Sequence, residues 1–246
     1  MRYLLSVRGR QYLHEQLRHQ PLLAFDLDGT LAPLADDPEA VALPQQIRSL
    51  LGAVARSFPV VIVSGRSRRD VWTRLQGIPL REVYGNHGIE PTHVSEVLRE
   101  LVAGWAERMA RRLSTWEGVW IEDKQYSLTV HFRSSPAPAL AQAAAEEAAA
   151  DLGPVRMLPG KQCLSILPGG TAHKGQALLE AQRRFGAPRA IYIGDDETDE
   201  DVFTNCDRNQ VLGVRVGRNP GSRAAYFLRS QEEIESVFEC IARYEG

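Results

Sequence analysis

The chain has 246 residues, enough to bury a substantial core as one large domain or two small ones. Its 29 lysines and arginines against 31 aspartates and glutamates leave a formal net charge of -2, which gives no overall basic footprint for nucleic acid. No apolar run reaches the length of a membrane span, and Arg2, Arg8 and Arg10 break up residues 1–17 too much for a secretory signal. Cys163, Cys206 and Cys240 are odd in number and far apart, which favours neither a disulfide framework nor a zinc site. The expectation is a cytoplasmic monomer with free thiols and no nucleic-acid or membrane partner.

In chain order, residues 1–17 read as a short helix against the core. Leu22-Leu23-Ala24-Phe25-Asp26-Leu27-Asp28-Gly29-Thr30-Leu31 follows, an apolar run of strand length that delivers two carboxylates to a turn made flexible by glycine. With a side-chain period of two, Asp26 and Asp28 are expected to point the same way from the carboxyl edge of a sheet. Pro44 opens a helix carried by Ile47, Leu50, Leu51 and Val54 to about Arg56. Residues 59–63 form a continuous β-branched run ending in Ser64-Gly65-Arg66, as a buried parallel strand meeting its loop would. Val71, Trp72 and Leu75 give the next helix its inner face, and 81–84 is a third short strand. Alternating strand and helix implies a parallel sheet with right-handed crossovers.

Between 86 and 168 the texture changes. Ser95 caps a long amphipathic pattern through Leu98, Leu101, Val102, Trp105, Met109 and Leu113. Alternating runs around 119–121 and 126–132 flank Asp123-Lys124 as a hairpin, 136–152 is an alanine-rich helix, and two short strands are expected at 155–158 and 162–167. The sheet pattern then resumes, with a helix over 174–185, strands at 190–193 and 211–216, and a closing helix over 232–244.

Two carboxylates forced together at a strand end repel each other and lose solvation, which implies a compensating cation, a shared proton or a function. Downstream of DLDGTLAP at 26–33 lie SGR at 64–66, HKG at 173–175 and GDDETDED at 194–201. Together and in this order they resemble the haloacid dehalogenase (HAD) superfamily of phosphohydrolases. DLDGTLAP, GNHGIE at 85–90, EDKQYSLTVHFR at 122–133 and GDDETDEDVF at 194–203 resemble the trehalose-6-phosphate phosphatases within it. The resemblance implies an α/β fold, with a Rossmann-like core of parallel strands over 1–86 and 169–246. It also implies an inserted α+β cap of the C2 type over 87–168 that sets substrate specificity.

The implied activity is Mg²⁺-dependent hydrolysis of a sugar phosphate, trehalose 6-phosphate first among them, through an aspartyl-phosphate. Asp26 would be the nucleophile and Asp28 the general acid and base. Mg²⁺ would be held by Asp26, the backbone carbonyl of Asp28 and Asp195, with Asp199 supporting it. Ser64 can donate its hydroxyl and amide to a phosphate oxygen beside Gly65, and Lys174 supplies a positive charge to the same group. Arg66 either reaches the phosphate or sugar or forms a surface salt bridge. Asp196 is open between metal support and helix capping, while Glu197, Glu200 and Asp201 are as compatible with a solvated helix start as with a site. Thr30 is expected to hold the first loop through local hydrogen bonds. His87 either lines the entrance or is a turn residue satisfied locally, and His173 is a solvated neighbour of Lys174.

Substrate choice should lie in the cap. Trehalose phosphatases of the family carry a segment like Gly-Lys-x-x-x-Glu-Ile-Arg-Pro, whose lysine and glutamate contact sugar hydroxyls. The matching stretch here is Gly160-Lys161-Gln162-Cys163-Leu164-Ser165-Ile166-Leu167-Pro168. Lys161 stays, but Ser165 stands where the glutamate would be, and a short hydroxyl does not reproduce a carboxylate bridging two sugar hydroxyls. Another glycosyl phosphate, such as a glucosylglycerol phosphate or a glycosyl phosphoglycerate, is therefore the alternative substrate. A non-catalytic sugar-phosphate sensor is the alternative class, disfavoured because Asp26, Asp28, Ser64, Lys174 and Asp195 are all present.

Overall fold

The computed structural model describes residues 1–35 and 40–244. By contacts it divides into one unit of Met1–Pro91 with His173–Gly246 and a second of Thr92–Ala172. Residues 87–91, expected at the start of the insertion, cluster with the first unit.

The first unit is built on a parallel sheet of seven strands in the order β1-β11-β10-β9-β2-β3-β4. These are β1 (Arg2–Tyr3), β2 (Leu22–Phe25), β3 (Val60–Val63), β4 (Glu82–Tyr84), β9 (Ala190–Gly194), β10 (Val211–Val216) and β11 (Tyr226–Leu228). The central strands are apolar at every position because both faces are covered. Leu23, Phe25, Val60, Ile62, Ile191 and Ile193 point into one cluster with α1 (Val7–Leu17), α2 (Gln45–Ser57) and α8 (Ile234–Ala242). Leu22, Ala24, Val61, Val63, Ala190 and Tyr192 point into the other, with α6 (Lys174–Arg184) and α7 (Glu200–Asn205). The period of two thus sorts each strand between two cores. α3 (Arg68–Arg74) adds Val71 to the first cluster.

Two local readings change. The amino-terminal segment is not one helix: Arg2–Tyr3 pairs with β11, and α1 begins only after Ser6, whose side chain accepts from the Gly9 backbone N–H. The edge of the sheet is therefore closed by strands of two and three residues, β1 and β11, too short to announce themselves by pattern.

The second unit packs α4 (Glu96–Arg112) and α5 (Pro138–Ala150) on one face of an antiparallel sheet ordered β5-β6-β8-β7. Its strands are β5 (Trp120–Asp123), β6 (Leu128–His131), β7 (Val155–Gly160) and β8 (Cys163–Pro168). Val102, Trp105, Met109, Ala141 and Ala145 bury Leu128, Val130, Leu164 and Ile166, so alanine serves here as a close-packing face. The strand partners Trp120↔His131, Glu122↔Thr129 and Thr129↔Ser165 lie on the opposite face, away from both helices.

On α8, Phe238 meets Phe25 of the central strand edge-on, with ring centroids 5.3 Å apart, and both are fully buried. Phe238→Ala should cost about 3–5 kcal/mol of stability. A urea midpoint that falls with an unchanged slope is the expected readout, and an unshifted midpoint would show that α8 contributes little to the core.

Candidate active site

The site grows from the middle of the first unit's sheet. β2 lies between β9 and β3, so the loops that follow it turn out where neighbouring connections diverge, the place open α/β sheets offer to ligands. The ladder runs one residue past the strand, since the Asp26 N–H donates to the Ile193 carbonyl at 2.9 Å. Asp26 is thereby fixed at the sheet edge and almost fully buried. Because β2 ends at Phe25, the period-two argument does not carry on to Asp28, which sits in the loop and finds a different partner.

Lys174, at the start of α6 and 2 % exposed, joins the two ends of the site. Its Nζ lies 3.1 Å from Asp26 Oδ1 and 2.8 Å from Asp199 Oδ1. Asp199 also accepts from the Tyr192 hydroxyl at 2.6 Å and, through Oδ2, from the Asp196 N–H at 2.9 Å. Asp26, Asp195 and Asp199 each bring a carboxylate oxygen within 4.8 Å of the others. Thr30 does not act locally: its hydroxyl donates to Asp195 Oδ1 at 3.1 Å, tying the first loop to the loop after β9. Gly29 is required there, with φ of +79° and an added Cβ 2.1 Å from Asp195 Oδ2.

Two buried carboxylates and the half-buried Asp195 against one lysine leave the site short of positive charge. Burial pushes the Asp26 carboxyl well above the usual range; Lys174 opposes the rise and Asp199 and Asp195 add to it. Burial, reinforced by Asp199, pushes Asp195 up to about 7. Lys174 is held strongly protonated because Asp199 and Asp26 outweigh the cost of burying it. Such a cluster fits a hard divalent cation. Both oxygens of Asp199 already take donors, whereas Oδ2 of Asp26 and of Asp195 have no partner among the described residues, which makes those two the better ligands.

The remaining loops meet around this edge. Ser64 is fully buried, its N–H on the Tyr84 carbonyl and its Oγ accepting from the Arg66 N–H at 3.2 Å. His87, at φ of 57°, lies over Gly65, where a Cβ would come within 2.6 Å of its ring. Arg66 is turned to Asp28: its Nε donates to both carboxylate oxygens at 3.0 and 2.8 Å and Nη2 to Oδ1 at 2.7 Å. Of the acidic run, Asp196 caps the turn at Glu197–Asp199, Glu200 pairs with Arg215 at 2.9 Å, and Glu197 is exposed. His173 caps α6 and forms a capping box with Gln176. Lys161 and Ser165 belong to the second unit: Lys161 is exposed in the β7–β8 turn, and Ser165 Oγ lies 3.2 Å from Thr129 Oγ1.

Sequence reasoning missed three supports. Tyr192 reads as a core aromatic until its hydroxyl is seen on Asp199. Glu90, in GNHGIE, accepts from the Arg68 N–H at 2.6 Å and Asn86 Nδ2 at 2.7 Å, joining two site loops. Gln231 donates from before α8 to the Thr30 and Leu31 carbonyls at 3.3 and 3.1 Å. A carboxylate four residues after Asn86 was the one available signal.

The cluster makes a pH prediction for the protein stripped of divalent ions. Asp195 holds its proton to about 7 when folded but only to 3.8 when unfolded, so between these values the folded state binds more protons. Stability should then be fully present below about pH 4 for this group and be lost as pH rises through 7. Thermal melts in chelator at about pH 5 and pH 8 should show the decline, and Asp195→Asn should flatten it. No decline in the wild type, or a decline as steep in Asp195→Asn as in the wild type, would contradict the assignment.

Residues 24–232 match the trehalose-phosphatase family. Over 254 aligned residues the chain is 32% identical to the trehalose-phosphate phosphatase of Mycobacterium avium, with 93% of this chain and 64% of that protein covered. The chain thus spans just under two-thirds of that relative's length. The C-terminal domain of trehalose-6-phosphate phosphatase from C. albicans superposes with a TM-score of 0.76 at 20% identity, covering 95% of this chain and 96% of that one. A sugar phosphatase of HAD subclass IIB superposes with a TM-score of 0.59 at 16% identity, covering 89% and 98%. The parallel sheet with its separate antiparallel unit is the HAD architecture, and the chain belongs to the trehalose-phosphatase family.

Proposed function

We propose that this chain is a Mg²⁺-dependent phosphatase that hydrolyses trehalose 6-phosphate to trehalose and inorganic phosphate. The observation that carries the reading is the Asp26 carboxylate, pinned through Oδ1 by Lys174 with Oδ2 unpartnered among the described residues, at the edge of the central strand. Family membership supports it. In the first step the Asp26 carboxylate attacks phosphorus, the bond from phosphorus to the sugar oxygen breaks, and Asp28 gives that oxygen its proton. Water then attacks the phosphorus of the acyl phosphate, Asp28 takes the water's proton, and Asp26 is released with inorganic phosphate. Ser64 keeps a hydroxyl proton to donate to a phosphoryl oxygen, because its Oγ accepts from Arg66 N–H.

All-oxygen, all-carboxylate donors favour a hard cation, and a site with few protein ligands suits Mg²⁺, which keeps its waters. Bound by Asp26 and Asp195 with Asp199 beside them, Mg²⁺ would neutralise phosphoryl charge.

Substrate choice is assigned to the second unit. On the helix-free face of its sheet, the Trp120 ring stacks on His131 with centroids 3.9 Å apart, and Glu122 accepts from His131 Nε2 at 2.9 Å. A flat aromatic beside a carboxylate suits a sugar ring and its hydroxyls, and Glu122 offers the acidic group that Ser165 lacks. The neutral Thr129–Ser165 hydroxyl pair favours the second reading, another glycosyl phosphate.

Phosphate release with Mg²⁺ should be followed across trehalose 6-phosphate, glucose 6-phosphate, sucrose 6-phosphate and glycosyl glycerol phosphates. A kcat/KM for trehalose 6-phosphate at least about tenfold above the rest, equal to ~1.4 kcal/mol, is expected, with turnover abolished in Asp26→Asn. Preference for another glycosyl phosphate selects the second reading. Substantial turnover by Asp26→Asn would remove Asp26 as nucleophile.

A further inference from the structure

The backbone of Asp28 is tied within its own loop, through a bridge to Ala32 and the Gly29 N–H on the Ala32 carbonyl at 2.8 Å, but this leaves the direction of its carboxylate to a side-chain partner. Asp28 lies past the end of β2, followed by Gly29 in the left-handed region at φ of +79°, and it is less buried than any other group proposed to react. A proton-transfer group must nonetheless be held to a fraction of an ångström. What holds it is Arg66, whose guanidinium presents Nε and Nη2 to the two Asp28 oxygens at 2.7 to 3.0 Å.

Arg66 is itself held at both ends. Its backbone N–H is on Ser64 Oγ at 3.2 Å and its carbonyl accepts from the Asn86 N–H at 2.8 Å. Its Nη1 donates to Asp70 Oδ2 at 3.0 Å, and both oxygens of Asp70 accept from Arg74 Nε at 2.9 Å. Arg74 in turn donates to the Val41 carbonyl, and its own carbonyl accepts from Arg48 of α2, each at 2.5 Å. An isolated exposed ion pair contributes little, but this one is forked, networked and, at Arg66, only 13% exposed. Opposition of Arg66 by Asp28 and Asp70 together favours its charged form despite burial.

We infer that Asp70 and Arg66 are positioning residues that act in series on Asp28, Asp70 orienting the guanidinium and the guanidinium orienting the carboxylate that moves the proton. The inference rests on the assignment of Asp28 under the proposed function. Of the two sequence expectations for Arg66, a phosphate or sugar contact and a surface salt bridge, it takes the ion pair, at a position only 13% exposed. The plain alternative is that the chain of charges only anchors α3, in which case every substrate suffers alike from its loss.

The test compares two phosphate esters with the Mg²⁺-loaded enzyme, because trehalose 6-phosphate needs its leaving oxygen protonated and p-nitrophenyl phosphate does not. For Arg66→Met, kcat/KM, which reports transfer to Asp26, should fall about 10²-fold on trehalose 6-phosphate and by no more than about threefold on the aryl ester. Asp70→Asn, which keeps the side-chain shape, should shift the same ratio in the same direction by about 3- to 10-fold. Neither change should lower kcat/KM on trehalose 6-phosphate further when Asp28→Asn is already present. Equal losses on both esters, or losses that multiply with Asp28→Asn, would overturn the inference, since either would mean that Arg66 acts on the phosphate or on the fold. Should the wild type turn over neither ester, the proposed function fails, and a crystal structure of Asp70→Asn decides the relay separately. Arg66 leaving Asp28 supports it there, and an unchanged Arg66–Asp28 fork overturns it.

Discussion

A lysine almost fully removed from water, shared between two carboxylates, is the interaction on which the rest of this structure depends. Lys174 reaches Asp26 and Asp199 from the first residue of α6, and the three side chains are almost wholly removed from solvent. Breaking such a pair leaves a buried charge uncompensated, so the arrangement commits α6, β2 and the loop after β9 to one geometry. The glycines follow from it. A Cβ at Gly29 would enter the Asp195 carboxylate, and one at Gly194 would lie 2.3 Å from Asp199 Cγ. Tyr192 completes the setting from within the core of the sheet.

The same charge count explains why the site suits a cation and an anion in turn. One lysine does not neutralise Asp26, Asp195 and Asp199, so two of the three carboxyls are driven upward until a divalent ion enters. A phosphate monoester beside such an ion would lie next to the Asp26 carboxylate, the group proposed as nucleophile. In this account the loop after β2 carries both the nucleophile and the proton carrier, and the charge that serves them comes from the start of α6 and the loop after β9. Rigidity between the loops comes from long-range contacts: Thr30 to Asp195, Glu90 to Arg68 and Asn86, and Gln231 to the first loop.

Much of this was legible in the chain. Uninterrupted apolar strands running into Asp26, Ser64 and Asp195 report both the parallel sheet and the edge where chemistry gathers, because only doubly covered strands read that way. The insertion was visible as a switch to alternating strands and long amphipathic helices. What was not legible depends on contacts distant in sequence. Thr30 looks like a loop-shaping residue until Asp195, 165 positions away, is brought to it. Arg66 stays open between a phosphate contact and a salt bridge because nothing local shows that Asp28 and Asp70 would close on it from two elements. The shared direction expected of Asp26 and Asp28 rested on strand periodicity, which stops at Phe25, so it does not extend to Asp28 in the loop beyond. β1 and β11 were missed because two- and three-residue strands exist only through their partners.

The central claim is that Asp26 becomes covalently phosphorylated. The most direct measurement is a rapid acid quench of the Mg²⁺-loaded protein during turnover of trehalose 6-phosphate, followed by borohydride reduction and peptide mass spectrometry. An acyl phosphate on Asp26 is reduced to homoserine at that position, and the account predicts this conversion at residue 26, dependent on substrate and absent in Asp26→Asn. Turnover with no reducible carboxyl at residue 26, or reduction at Asp28 or Asp195 instead, would contradict it.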